Sequence, residues 1–231
     1  MKIVFFSDIH GNKYVLEPLL QAIKEEGADQ VIFCGDIFGY YYYQNEIIDM
    51  FRKEGYLTLL GNHDQYFLDI IDQRGNRRDL IQKYGNSYND ISSKISPENI
   101  EYLRGLKPFH VFEADNIRIG VFHGSPADHL NGRIYPDTTI EDAELYSEYD
   151  FVILGHTHHK MVRMIGTTTV INPGSIGQQR DGKGCSYLIL DTHNSGFSFA
   201  NVEYDVESLI KDIEKNDANN AKLVEVLLRK A

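Results

Sequence analysis

The stretch Lys2-Ile3-Val4-Phe5-Phe6-Ser7-Asp8-Ile9-His10-Gly11-Asn12 decides the fold. Lys2 to Phe6 is a short apolar run that stops abruptly in polar residues, the pattern of a buried strand feeding a loop. Working outward, Val15, Leu16, Leu19, Leu20 and Ile23 recur at helical spacing between Asn12 and Glu26, and Gly27 is placed to end that helix. Gln30 to Cys34 reads as the next strand, Asn45 to Glu54 as a helix closed by Gly55, and Tyr56 to Leu60 as a third strand. Such alternation predicts a parallel sheet with covering helices. Each strand runs into a polar, glycine-bearing segment: Ser7 to Asn12, then Gly35-Asp36, then Gly61-Asn62-His63-Asp64. Ligands of open α/β sheets bind outside the carboxyl ends of the strands, so these three tips are expected to converge.

From Gln65 to Leu106 the pattern becomes polar and helical, with the basic Arg74-Gly75-Asn76-Arg77-Arg78 and a helix start at Ser96-Pro97-Glu98. We read residues 65–106 as a helical insertion near the site. The second half is β-rich, with strands at about Phe109–Glu113, Ile117–Phe122, Phe151–Leu154, Met161–Ile165, Thr168–Ile171, Cys185–Leu190 and Gly196–Val202. Turns at Asn116, Gly166 and Thr192–Ser195 predict a second, mostly antiparallel sheet packed on the first. The tail from Asp205 to Lys230 carries apolar stripes at Leu209, Ile210 and Ile213 and at Leu223, Val224, Leu227 and Leu228, expected to pack on the body rather than to form a dimer contact. A chain of 231 residues fits one α/β domain spanning 1–231.

With 42% hydrophobic and 25% charged residues the composition is that of a globular protein. A net charge of −11 is a poor footprint for gripping long nucleic acid, and leaves small phosphorylated molecules as partners. Two cysteines make neither a disulfide framework nor a Cys-rich zinc knuckle, and Cys34 reads as a buried small hydrophobe. The apolar start is too short for a signal peptide and no run is long enough for a membrane span, so no membrane association and a cytoplasmic location are expected. The sequence leaves the oligomeric state open.

Two further strand ends add histidines: His123, then His156 with His158. In Asp8-Ile9-His10 and in His156-Thr157-His158 the paired residues stand two apart, which places both side chains on one face of extended backbone. Asp36 and Asn62 offer oxygen and neutral imidazoles offer nitrogen, a donor mixture suited to manganese, iron or zinc rather than to an all-oxygen calcium cage. His110, His129, His159 and His193 belong to no such motif and read as structural or solvent-facing.

At this point the chain resembles the calcineurin-like metallophosphoesterase family, through Asp8-Ile9-His10, Gly35-Asp36, Gly61-Asn62-His63-Asp64, His123-Gly124 and Gly155-His156-Thr157-His158 in the family's order. Asn172-Pro173-Gly174-Ser175, followed by Ile176 to Gly182, is similar to the closing motif of its small prokaryotic phosphodiesterase branch. The resemblance implies a four-layer αββα sandwich of two mixed β-sheets flanked by helices. It also implies two divalent ions, manganese first with iron or zinc as alternatives. One ion is implied on Asp8, His10, Asp36 and His158, the other on Asp36, Asn62, His123 and His156, with Asp36 as the bridge. A hydroxide shared by the ions is then implied to attack phosphorus, while His63 protonates the leaving oxygen and Asp64 orients His63.

The run Gly39-Tyr40-Tyr41-Tyr42-Tyr43 lacks the arginine by which protein Ser/Thr phosphatases of this family hold phosphate, which argues against a protein substrate. Its tyrosines either pave a hydrophobic surface or stack on an aryl group, with Tyr40 a substrate-binding candidate. Arg180 is a second such candidate, as a phosphate ligand. The expected activity is hydrolysis of a small phosphate ester, a nucleotide in the first instance. A dinucleoside polyphosphate hydrolase and a non-catalytic metal-binding interaction scaffold are the alternatives.

Overall fold

In the computed structural model, which describes residues 1–89 and 91–229, the opening run forms β1 (Lys2–Phe6). Asp90 of the expected insertion and Lys230 of the expected tail lie outside the described residues. Ile3 and Phe5 enter the apolar cluster between two sheets, whereas Val4 and Phe6 enter a layer of helices. A strand covered on both faces must be apolar throughout, which is why this run shows no polar alternation. β1 pairs in parallel with β2 (Gln30–Phe33), and β2 with β3 (Leu57–Thr58). The crossovers are α1 (Leu16–Glu26), entered through a short 3-10 turn at Lys13–Val15, and α2 (Gln44–Glu54). Leu19 and Ile23 of α1 and Ile47, Ile48 and Phe51 of α2 share the cluster of Val4, Phe6 and Phe33. Gly27 (φ 62°) ends α1 in a left-handed conformation, which costs a residue bearing a Cβ roughly 1–2 kcal/mol.

The helices α3 (Asn62–Ile71), α4 (Arg77–Tyr84), α5 (Ile91–Lys94) and α6 (Pro97–Gly105) follow, then β4 (Phe109–Ala114), β5 (Ile117–Phe122), β6 (Phe151–Leu154), β7 (Met161–Ile165), β8 (Thr168–Asn172), β9 (Ser186–Asp191) and β10 (Gly196–Asn201). The sheets are ordered β10-β9-β1-β2-β3 and β4-β5-β6-β8-β7. Two expectations are corrected here. β9 and β10 belong to the first sheet, where β9 runs antiparallel to β1 from Lys2↔Asp191 to Phe5↔Leu188. The second sheet is mixed rather than mostly antiparallel, because β5–β6 and β6–β8 are parallel while β4–β5 and β7–β8 are hairpins. Residues 123–150 are long enough for the crossover that parallel pairing requires. In consequence the carboxyl ends of β5 and β6 open on the same edge.

The two sheets pack face to face on Ile3, Phe5, Ile32 and Leu188 from one and Ile119, Val121, Ile153 and Ile171 from the other, with Cys34 buried among them. The result is an αββα sandwich. On the outer face of the second sheet the covering layer is thin, consisting of the 3-10 turn Ala143–Tyr146 with Ile134, Ile140 and Tyr149. The tail forms α7 (Val206–Asn216) and α8 (Ala221–Leu227), and packs on the body as expected: Leu209, Ile213 and Leu223 enclose Tyr41. Among the described residues no helix is long and apolar enough to cross a membrane.

Candidate metal centre

Asp8 and His10 follow β1, Asp36 follows β2, Asn62 and His63 open α3 just beyond β3, His123 follows β5, and His156 and His158 follow β6. All eight side chains are buried and meet at one edge of the two sheets. The loops are laced to one another: Asp8 N–H donates to Gly35 O and His10 N–H to Asp36 O at 3.0 Å, and His156 N–H donates to the Asp8 carboxylate at 3.1 Å. The extended backbone expected for the two spaced pairs is not found. Asp8 (φ 57°), His10 (φ 49°), Asp36 (φ 71°), His156 (φ 67°) and His158 (φ 60°) are all left-handed. Each such residue costs roughly 1–3 kcal/mol, and strain of this kind persists where a site over-determines it. The pairs converge because the chain turns back on itself after the strand, not because the strand continues.

Three imidazoles are fixed from behind. Nδ1 of His10 faces Phe38 O at 2.5 Å, Nδ1 of His123 faces Cys34 O at 2.8 Å, and Nδ1 of His158 faces Gln178 O at 2.6 Å. A carbonyl only accepts, so each Nδ1 carries the proton and each Nε2 presents a lone pair to the interior. The Nε2 atoms of His10 and His158 stand 2.9 Å apart with no proton between them. Nε2 of His123 faces Asn62 Oδ1 at 3.1 Å and Asp36 Oδ1 at 3.5 Å, and Nε2 of His158 lies 3.4 Å from Asp8 Oδ1. Among the described residues, Asp36 Oδ2 and His156 Nε2 are buried without a hydrogen-bond partner. Lone pairs crowded against lone pairs, with two orphaned polar atoms beside them, make a donor set that fits cations. Asp8, His10 and His158 form one group of potential ligand atoms within 4.8 Å of one another, and Asp36, His123 and His156 form another.

The electrostatics agree with this fit. Burial holds all five histidines below their ordinary pKa, with His156 lowered to about 3, so the rings are neutral near pH 7. Burial and then the carboxylates of Asp64 and Asp8 push Asp36 well up. Burial also opposes ionisation of Asp8, but in acid, where His158, His123 and His10 take on positive charge, they outweigh it and leave that carboxyl well below the usual range.

The hydrogen bonds of Asp64 go to backbone rather than to the His63 ring. The two carboxylate oxygens accept four backbone N–H groups, from Asp36 (3.0 Å), Ile37 (2.8 Å), Phe38 (3.0 Å) and Gly61 (2.8 Å), and so staple the loop after β2 to the start of α3. Nδ1 of His63 instead meets the Tyr88 hydroxyl at 2.8 Å. His63 also completes a third group of potential ligand atoms, with His10 and Asp36.

The tyrosine run divides its labour. Tyr43 donates to Asp212 and Tyr42 to Asp217, and Tyr41 is enclosed by the tail. Tyr40 alone turns to the centre, its ring 4.7 Å from that of His10 and 5.2 Å from that of His63, and its hydroxyl accepts from Arg180 at 2.7 Å. A cavity of about 160 Å³ over the cluster is lined by Asp36, Asn62, His63, His156, His158, Tyr40 and Arg180, and also by Lys83, Tyr84 and Arg133. Those last three, with Tyr88, sequence reasoning missed, because none stands in a motif or behind a strand. Larger hollows exist, but one of about 930 Å³ lies at the opposite ends of β2 and β3 beside Glu17, Lys24 and Glu54.

A family model described as the calcineurin-like phosphoesterase superfamily domain matches residues 1–195. An uncharacterised protein of Methanocaldococcus jannaschii is 30% identical over 93% of this chain and 92% of its own length. A protein named phosphodiesterase from the same organism is 26% identical over 85% of this chain and 96% of its own length. A solved structure of a hypothetical protein from Pyrococcus horikoshii superposes with a TM-score of 0.81 at 24% identity, covering 100% of this chain and 99% of its own. A metallophosphoesterase from Sphaerobacter thermophilus does so at 0.78 and 24%, covering 99% of each chain. At these identities the two structures bear on the fold alone.

Proposed function

This chain belongs to the calcineurin-like phosphoesterase superfamily and is a metal-dependent phosphoester hydrolase, and from that premise we propose that it hydrolyses a small phosphate ester, a nucleotide first among the candidates, at a binuclear centre. Asp8, His10, Asp36 and His158 would hold one ion and Asp36, Asn62, His123 and His156 the other. The observation that carries this reading is the inward set of unprotonated Nε2 atoms on His10, His123 and His158, beside the orphaned Asp36 Oδ2 and His156 Nε2. Two divalent ions there, manganese by preference, would supply Lewis acidity toward the phosphoryl oxygens and lower the pKa of water.

The chain's own groups account for the remaining work. Arg180, pinned by Tyr40 and by Gln178 Oε1 at 3.1 Å, presents its guanidinium to the cavity as a phosphate ligand. Tyr40 forms an aromatic wall, and His63 takes up a proton from solvent at its cavity-facing nitrogen and hands it to the leaving oxygen as the P–O bond breaks. Asp64 acts at one remove, by fixing the loop that carries Asp36.

The test is a screen of metal-reconstituted protein against bis-p-nitrophenyl phosphate, p-nitrophenyl phosphate, cyclic nucleotides and dinucleoside tetraphosphates, with metal content measured alongside. We expect turnover of the diester and two ions per chain, with both ions lost in Asp36→Ala. Absence of turnover with every metal tried would return the chain to the scaffold reading.

One observation favours a polyphosphate. Lys83, Arg133 and Arg180 line the same cavity, and among the described residues none of them has a carboxylate partner. A diester brings one negative charge to three cations, whereas a dinucleoside polyphosphate brings several. Under this second reading kcat/KM for the tetraphosphate exceeds that for the diester, and Lys83→Ala with Arg133→Ala narrows the gap.

A further inference from the structure

We propose that Tyr88 is the positioning residue of His63, holding the imidazole by Nδ1 so that Nε2 faces the cavity; this rests on the reading of His63 as the proton donor. The Tyr88 hydroxyl oxygen stands 2.8 Å from His63 Nδ1 and 3.3 Å from the carbonyl oxygen of His63 itself. A hydroxyl has one proton and two lone pairs. Both contacts are therefore satisfied together only when Nδ1–H donates to the phenol oxygen and the phenol O–H donates to the carbonyl. That arrangement leaves Nε2 as the nitrogen that takes up and releases a proton.

Two other routes to Nδ1 are closed. The loop after β2 passes the ring at Gly39, where a Cβ would collide with His63 Nδ1, so that loop has no room for a carboxylate-bearing side chain at this position. Asp64, the neighbour in sequence, has both oxygens committed to backbone N–H groups. Tyr88 itself is fully buried, and Tyr84 stands edge-on to the His63 ring at 4.4 Å. The 3-10 turn Asn86–Tyr88 is tethered to the tail, with Asn86 N–H donating to both oxygens of Asp217 at 2.9 and 3.0 Å. Burial, and then Asp36 and Asp64, push the Tyr88 phenol well up, so it is a neutral hydroxyl.

The proton balance is simple. His63 rests as the neutral Nδ1–H ring; its Nε2 first takes up from solvent a proton equivalent to the one the attacking water releases, then passes it to the leaving oxygen as the bond to phosphorus breaks and is left neutral again, while the proton on Nδ1 stays on the ring and remains bonded to Tyr88. No proton leaves the phenol. A neutral acceptor thus aims the ring without adding a fourth carboxylate to a pocket that already holds Asp8, Asp36 and Asp64.

Two measurements test the assignment. Nitrogen NMR of metal-free wild-type protein with isotope-labelled histidine, in neutral buffer, is expected to show His63 as the Nδ1–H tautomer, and to show a tautomer mixture in Tyr88→Phe. In metal-loaded Tyr88→Phe, kcat for an alkyl phosphodiester is expected to fall about tenfold further than kcat for bis-p-nitrophenyl phosphate, at unchanged metal content. An Nε2–H tautomer in the wild type, or equal losses on the two esters, overturns the proposal. If His63→Asn shows no leaving-group dependence, the acid role itself fails, and the tautomer measurement still decides whether Tyr88 holds the ring. That measurement needs no variant, so a poorly folding Tyr88→Phe leaves the proposal exposed to refutation.

Discussion

At the scale of single residues, His63 differs from its neighbours in having its Nδ1 held by a side chain rather than by a carbonyl. Asparagine at this position removes a proton source while Asp8, His10, Asp36, Asn62, His123, His156 and His158 stay in place. We expect His63→Asn to keep its metals and to lose about 10²–10⁴-fold in kcat on alkyl esters, with a much smaller loss on nitrophenyl esters; equal losses would remove the acid role. A second prediction concerns pH. His10, His63, His123, His156 and His158 all have folded-state pKa values lowered by burial, so the unfolded chain binds more protons than the folded one once pH drops below 6.5. Stability of the metal-free protein therefore falls as pH falls below 6.5, by up to about 1.4 kcal/mol per pH unit for each histidine while its ring stays neutral in the fold. Asp64, raised by burial to about 6, works in the opposite sense between pH 3.8 and 6, and Asp36, also raised, does so above 3.8, but two carboxyls oppose five imidazoles. Thermal melts of metal-free protein at pH 7.5 and 5.5 should show the lower transition at pH 5.5, and a higher one there would reverse the sign of this account.

Among the elements, the legible ones were those whose signals are local. α6 begins at Ser96, whose hydroxyl accepts from Asn99 N–H, with Pro97 in the first turn, as the triplet Ser96-Pro97-Glu98 suggested. Ser96→Ala should cost about 1 kcal/mol, read as a shift in the denaturation midpoint with unchanged metal content; a loss of metal would mean that α6 supports the site more directly than its position suggests. β1, α1 and α2 were equally plain, because apolar period and terminal glycines lie within each segment. The partner of a strand is not a local property. β9 was expected in the second sheet because it follows that sheet's strands in sequence, yet it closes against β1, where Leu188 and Leu190 join Ile3 and Phe5 in the shared cluster. The conformation of Asp8 and His10 was illegible for a related reason. Spacing two apart suits extended backbone, and nothing in Asp8-Ile9-His10 announces that both residues are left-handed.

For the molecule as a whole, the tail is the element whose removal says most. Leu209, Ile213 and Leu223 are buried against Tyr41, while Asp212 and Asp217 accept from Tyr14, Tyr43 and Tyr42. Three such side chains are worth roughly 5–9 kcal/mol of burial, against a total stability of about 5–15 kcal/mol for an ordinary domain. Ending the chain after residue 204 should therefore yield a protein without a cooperative melt, followed by circular dichroism; an unchanged transition would show that the tail only decorates the body. The tyrosine run, ambiguous as a string, acquires its meaning here: three of its members dock the tail and one faces the centre.

By itself the sequence determined the strands, the helix stops and the set of His, Asp and Asn residues that gather at one edge, because apolar period, glycine punctuation and residues placed just beyond strands are written within a few positions of each other. Only the tertiary structure decided the mixed pairing of the second sheet, the return of β9 and β10 to the first, the use of Asp64 as a backbone staple, and the approach of Lys83, Tyr84, Tyr88 and Arg133 to the cavity. These depend on contacts between residues far apart in the chain, whose cost in chain entropy and reward in burial are settled only when the layers close.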